Sequence, residues 1–348
     1  LDFRGADGRG TDIQYHLDVV FMIKDEVLAA LRERGGYVSG QELCDRFSVS
    51  RTAIWKAVSK LKEEGYEIDS VPNRGYCLLT SPDAMTEAEI RSYLHTEKMG
   101  KSLVCFADTD STNIQAKLLA EQNAPDGTLV CSDQQTKGRG RRGRAWDSPP
   151  GEAIYMSLLL RPDIHPEHAS MLTLVMGMAV ADAINELMGG ESAGIKWPND
   201  VVLKGKKVSG TLTEMSTEMD CIHYVVIGTG INVNTQKFPK ELDQATSLRL
   251  AAGHNFRRAE LIALCMKYFE KYYALFERTE DLSLLIDEYN RLLVNRNREV
   301  RVLEPGNEYT GLALGINNQG ELLVRRENGR VDEIYAGEVS VRGVYGYV

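Results

Sequence analysis

Apolar residues Ile23, Val27, Leu28 and Leu31 recur at helical spacing, and Gly35-Gly36 closes that helix. Ser39 then stands where an N-cap would open a short helix over 40–47. Ser48-Val49-Ser50 makes a turn, and Ser50 caps a longer helix over 51–64 whose apolar face is Ile54, Val58 and Leu61. Gly65 stops it. Short strands at 66–68 and 76–78 flank the turn Pro72-Asn73-Arg74-Gly75. Helix, turn, helix and β-hairpin in that order predict a winged helix-turn-helix over residues 22–80.

The pattern changes further on. Thr80-Ser81-Pro82-Asp83 reads as a linker, and Thr86 with Glu89 forms a capping box for the next helix. From 84 to 297 strands alternate with helices. Strands are predicted at 103–107, 127–132, 153–160, 195–196, 201–203, 207–215 and 223–231, and helices at 113–121, 170–186, 258–277 and 283–291. This is a mixed α/β sheet domain. Residues 298–348 switch to short strands separated by Glu304-Pro305-Gly306, Asn317-Asn318-Gln319-Gly320 and Asn328-Gly329, the signature of a small β-barrel. Residues 1–21 are polar and Gly-rich, and fit a disordered extension, a tag or an upstream start equally.

Composition narrows the class. The 348 residues are 43% hydrophobic and 26% charged, enough for sizeable cores in two or three domains. No apolar run is read as long enough to span a membrane, and residues 1–21 lack a signal-peptide pattern. The six cysteines are scattered, which fits reduced thiols in a cytoplasmic protein rather than a zinc site. The net charge of -9 argues against a nonspecific nucleic-acid coat. Yet residues 46–62 carry five cations and no acid, within a 22–80 segment holding nine of each sign. The predicted recognition helix is therefore the basic element, with Arg51, Thr52, Lys56 and Lys60 as its DNA-contact candidates and Arg74 at the wing tip. A winged helix that mediates only protein contacts is the other reading.

The strongest chemical signal is Lys137-Gly138-Arg139-Gly140-Arg141-Arg142-Gly143-Arg144, five cations and three glycines in eight residues. Glycines let backbone approach a ligand, and guanidinium forks match phosphate oxygens. Between apolar, strand-like flanks, it reads as a clamp for a small polyanion rather than a solvated basic loop.

This loop, preceded by Gln135-Thr136 and followed by Trp146, resembles the signature loop of biotin–protein ligases. Ser111-Thr112-Asn113, Lys196-Trp197-Pro198-Asn199-Asp200 and Gly228-Thr229-Gly230-Ile231-Asn232-Val233-Asn234 follow the family's order. The resemblance covers roughly residues 22–348, and the N-terminal winged helix matches the family's bifunctional ligase and repressor members. It implies an α+β protein of three parts: the DNA-binding domain at 22–80, a catalytic domain of the biotin/lipoate ligase type at 84–297, and an SH3-like domain at 298–348. It implies ATP-dependent activation of biotin with magnesium, and transfer from biotinyl-5′-AMP to a lysine of a biotin carboxyl carrier protein. It further implies a homodimer, when adenylate-bound, on operator DNA, with no membrane partner.

The resemblance also assigns residues. Ser111, Thr112, Asn113 and Gln135 match the contacts to the biotin ureido ring. Gly138, Gly210, Gly228 and Gly230 would let backbone approach the biotin. Arg139 and Arg141 lie beside biotin, and Arg141, Arg142 and Arg144 hold the phosphates. Lys207 is the lysine bridging the carboxylate and the α-phosphate. Lys196 and Asp200 belong to the reacting centre, and Asn232 to the adenine side. Against these stand plainer roles: Ser111 as a helix N-cap, Pro198-Asn199-Asp200 as a turn, and Trp146 as core. Some relatives stack adenine on an aromatic in the following segment, where 237–252 offers only Phe238 and no tryptophan. Arg342 matches a conspicuous arginine of the family's C-terminal domain, for which contact with the nucleotide or carrier and a domain-packing role are equal readings. A lipoate ligase and a ligand-sensing regulator without catalysis are the competing functions.

Overall fold

The computed structural model describes residues 23–190, 192–218, 221–303, 308–335, 340–343 and 347, with 340–342 as backbone alone. The readings made for 1–21, for the turn at 304–306 and for the Arg342 side chain lie outside these residues. The chain divides into two compact units, up to Tyr93 and from Leu94 onward.

In the first unit, helix α1 spans 23–34, α2 spans Gly40–Phe47 and α3 spans Arg51–Glu63. Both predicted caps form: the Ser39 hydroxyl accepts from Glu42 N–H and the Ser50 hydroxyl from Ala53 N–H. Val27, Leu28, Leu31, Leu43, Ile54, Val58 and Leu61 close one core. The wing strands β1 (Glu67–Val71) and β2 (Gly75–Thr80) pair antiparallel and run longer than predicted. Helix α4 (Glu87–Tyr93), assigned by the sequence to the catalytic domain, packs in this first unit instead. The capping box is only half formed. Thr86 accepts from Glu89 N–H at 3.2 Å, but the Glu89 side chain turns inward and is 1% exposed. There Arg32 donates to it at 2.8 and 3.0 Å, and Tyr66 donates at 2.7 Å. A carboxylate this buried needs such partners, and their charge and hydrogen bonds outcompete the helix-cap geometry.

The second unit is built on a seven-stranded sheet ordered β3-β4-β5-β9-β8-β7-β6. Its strands are β3 (Leu103–Phe106), β4 (Thr128–Ser132), β5 (Ala153–Leu160), β6 (Ala193–Lys196), β7 (Asp200–Leu203), β8 (Lys206–Glu218) and β9 (Cys221–Asn232). Only β3 and β4 are parallel. Every residue of β5 is buried, which explains why its run is apolar at nearly every position, with Ser157 the exception. Helix α5 (Thr112–Glu121) sets Ala116 and Ala120 against Val130, Leu159 and Val226. Helix α6 (Leu172–Met188) packs on α8 (Arg258–Phe276) and on the sheet. With its lead-in turn from Pro166, α6 is long and apolar enough to cross a membrane, contrary to the sequence reading. It is 78% buried inside the protein, so its apolar surface is spent on the core.

The short α7 (Leu248–Ala252) is absent from the predicted elements, because five residues are too few to show a helical period. Helix α9 (Ile286–Leu292) leads into the last strands. Where a small barrel is expected, the described residues form a five-stranded antiparallel sheet ordered β13-β12-β11-β10-β14. Its strands are β10 (Glu299–Leu303), β11 (Tyr309–Ile316), β12 (Leu322–Arg325), β13 (Val331–Ile334) and β14 (Ser340–Gly343).

Candidate active site

Strand register lays out the site. Across the sheet, Tyr155 of β5 pairs with Gly230 of β9, Gly230 with Gly210 of β8, Gly210 with Asp200 of β7, and Asp200 with Lys196 of β6. Directly paired residues present their side chains on one face. The row is therefore a bare two-glycine floor, with a lysine–aspartate edge on one side and an aromatic on the other. A cavity of about 650 Å³ opens over it, within the usual size of a small-molecule site.

The glycine–arginine loop forms the opposite wall. It is shaped by main-chain bonds from Gly140 N–H to Arg144 O (2.7 Å) and from Trp146 N–H to Gly138 O (3.0 Å). A 3₁₀ turn at Arg141–Gly143 places Arg142 at φ 58° and Gly143 at φ 70°. Arg141 reaches inward and donates to Asn199 Oδ1 at 2.8 Å. Burial, then the neighbouring Arg142, lowers the Arg141 pKa, and the Asp200 charge opposes this. Arg139, Arg142 and Arg144 are exposed but line the cavity. Gly138 does not line it. A Cβ there would lie 2.4 Å from Trp146 O, so the loop's own closure requires glycine.

The lysine–aspartate edge is compact. Lys207 Nζ sits 2.6 Å from Asp200 Oδ1, and the Lys207 main chain is pinned by Gln244 O and Thr246 N–H. Lys196 is 6% exposed, and its Nζ lies 3.7 Å from the centre of the Tyr347 ring. Tyr347 Oη donates to Asp200 Oδ2. The Trp197–Pro198 bond is cis, and buried Trp197 donates to Gly320 O at 3.0 Å. The Pro-Asn-Asp segment is thus a turn and a cavity wall together.

At the other end lie Ser111, Thr112, Asn113 and Gln135. Ser111 is the N-cap of α5, yet its hydroxyl makes no capping bond. Gln135 Oε1 accepts from Thr112 N–H and from its hydroxyl. The Ser157 hydroxyl lies 2.6 Å from Asn113 Oδ1, and Asn113 Nδ2 donates to Glu214 at 2.7 Å. Burial pushes Glu214 up, but hydrogen bonds from Lys117 and Asn113 outweigh it, leaving its pKa lowered. Sequence reasoning missed Ser157, Glu214 and Tyr347. Ser157 carried a signal, as the lone hydroxyl among the aliphatic residues Leu158, Leu159 and Leu160 of β5. Glu214 shares the alternation of Gly210 and Leu212 on β8.

Three glycines of the sheet are crowded by side chains of the site. A Cβ on Gly228 would sit 2.0 Å from Asn113 Oδ1, and one on Gly230 would lie 2.6 Å from the Trp146 indole. Gly210 faces Lys207 Nζ and Trp146 at 3.0 to 3.1 Å. Close approach here is by Asn113, Lys207 and Trp146. Trp146 is a site wall rather than core, and its buried Nε1 has no hydrogen-bond partner among the described residues. Asn232 donates to Thr246 O, and both Asn232 and Phe238 line the cavity.

In the first unit Arg51, Thr52, Lys56 and Lys60 are exposed on α3, and Arg74 is exposed on the wing with its guanidinium 4.1 Å over the Tyr37 ring. Trp55 is also exposed on α3.

A helix-turn-helix in the first unit and a cation-walled α/β pocket in the second define a DNA-binding protein that carries a ligase-type site. Residues 24–77 match the HTH domain, 104–232 the biotin/lipoate A/B protein ligase family, and 297–342 the biotin protein ligase C-terminal domain. The chain is 42% identical to the bifunctional ligase/repressor BirA of Bacillus subtilis over 310 residues, covering 88% of this chain and 94% of that one. It is 31% identical to the Escherichia coli BirA, over 90% and 96%. The biotin protein ligase of Aquifex aeolicus in complex with biotin and ATP superposes with a TM-score of 0.61 at 33% identity, covering 70% of this chain and 99% of that one. The chain belongs to the family of bifunctional biotin ligase/repressors.

Proposed function

We propose that this protein activates biotin with magnesium-bound ATP, giving biotinyl-5′-AMP and pyrophosphate. It then passes the biotinyl group to a lysine of a biotin carboxyl carrier protein. The observation that carries this is the paired Lys207 and Asp200 at the rim of the glycine floor, facing the arginine loop. A carboxylate and a triphosphate repel each other, and cations fixed where charge develops lower that barrier.

Lys207 and Arg139 serve the biotin carboxylate, and Arg141, Arg142 and Arg144 the phosphates. Ser111, Thr112, Asn113 and Gln135 supply the polar groups that a neutral ureido ring requires. The free Ser111 hydroxyl supports this. Asn232 and Phe238 take the adenine end. Asp200, with Lys196 beside it, receives the acceptor amine and its proton. The adenylate-bound protein forms a homodimer that sets two winged helices on a two-fold operator, in the cytoplasm.

ATP–pyrophosphate exchange tests the first step. Exchange is expected with biotin, absent with lipoate, and lost when magnesium is chelated. No exchange with either acid would favour the ligand-sensing regulator. For the second activity, Arg51→Ala is expected to weaken operator binding by about 1–3 kcal/mol in a fluorescence-anisotropy titration. Unchanged affinity would remove Arg51 from the interface.

A further inference from the structure

The two oxygens of the Asp200 carboxylate are held differently: buried Oδ1 pairs with Lys207 but accepts no hydrogen bond among the described residues, and Oδ2 does accept one. Lys207 Nζ faces Oδ1 at 2.6 Å, and the Tyr347 hydroxyl donates to Oδ2. The Tyr347 ring lies on Lys196, 3.7 Å from its ammonium, so the tyrosine covers the edge where sheet and cavity meet. Lys207 is needed for the first step, as argued above. Tyr347 is a neutral donor on Oδ2, the oxygen not paired with Lys207.

We propose that Tyr347 is a positioning residue that caps Asp200 and selects the acceptor, admitting an amine and refusing water. This rests on the reading of Asp200 as the group that takes the amine's proton. The phenol and a water each bring a neutral donor to the carboxylate, whereas an ammonium brings a full opposite charge, and Coulomb attraction between ions is strong at a site screened from water. A lysine ammonium brought by a carrier protein therefore displaces the phenol from Oδ2. Water, itself a neutral donor, gains nothing by doing so.

With the phenol in place, the adenylate waits. Once the ammonium has displaced it, Asp200 takes an ammonium proton. The freed amine nitrogen bonds to the biotinyl carbonyl carbon, and the carbon–oxygen bond to phosphate breaks with its electron pair leaving on AMP. The nitrogen's remaining extra proton passes to solvent. Without the phenol, water fills its place and loses a proton to Asp200. Its oxygen attacks the same carbon, AMP leaves in the same way, and free biotin is returned.

The test is the coupling ratio of the full-length protein, AMP formed per biotin transferred, with biotin, MgATP and a biotin carboxyl carrier domain. The wild type is expected near one. Tyr347→Phe removes one hydrogen bond to a charged acceptor and is expected to raise the ratio roughly tenfold. Tyr347→Ala also uncovers Lys196 and is expected to raise it further. Because the readout is a ratio, a general loss of activity does not move it. A ratio that stays at the wild-type value in both variants overturns the proposal. So does complete loss of AMP formation in Tyr347→Phe, since a cap on Asp200 is not required for adenylation. If the wild type forms no AMP from biotin and ATP, the assigned function fails instead.

Discussion

Lys207→Gln is expected to lower biotin-dependent ATP–pyrophosphate exchange by about a hundred- to a thousandfold, the usual cost of losing a fixed group that stabilises developing charge. Two losses combine. The ammonium that would sit between two anions is gone, and Asp200, with its side chain 13% exposed, keeps a charge whose ion-pair partner has been removed. The neighbouring Lys206 supplies the control. It is exposed and, among the described residues, its side chain donates only to Asp243 O at 2.9 Å, so Lys206→Gln is expected to stay within about twofold of the wild type. Exchange in Lys207→Gln above a tenth of the wild-type rate would remove Lys207 from the reacting centre.

Gly228→Ala is expected to disable biotin binding and to cost about 1–3 kcal/mol of stability, as overpacking does in a filled interior. The new methyl would lie 2.0 Å from Asn113 Oδ1 and 2.7 Å from its Cγ. Asn113 has nowhere to retreat, held by Ser157 at one end and by Glu214 at the other. It must either leave that network, stranding buried polar atoms, or push β9 out of its place between β5 and β8. Calorimetry with biotin, and a thermal melt, would show both effects. A melt and a biotin affinity unchanged from the wild type would mean that Asn113 moves freely, and would dissolve the network described here.

The winged helix was legible because its signals are local. Ser39 and Ser50 stand at helix starts, and Ile54, Val58 and Leu61 mark one face, all within a few residues of the bonds they make. The arginine loop was legible by composition alone. The glycine row was not, because Gly210 and Gly230 become neighbours only through the β8–β9 register. Tyr347 carries no local pattern, and its meaning lies wholly in its approach to Asp200, 147 residues earlier. Glu89 shows the converse. Its local pattern predicted a cap, and a distant arginine took the side chain instead.

That last exchange has a practical reading for anyone dividing the protein into working halves. A DNA-binding fragment ended at residue 80 would keep Arg32 and Tyr66 but discard Glu89, together with Ser92, which accepts from Arg32 Nε at 2.8 Å. It would present a cation and a phenol to water on a surface shaped to hold them. A fragment carried through Tyr93 retains the whole clasp, and a ligase fragment begun at Leu94 leaves none of it behind.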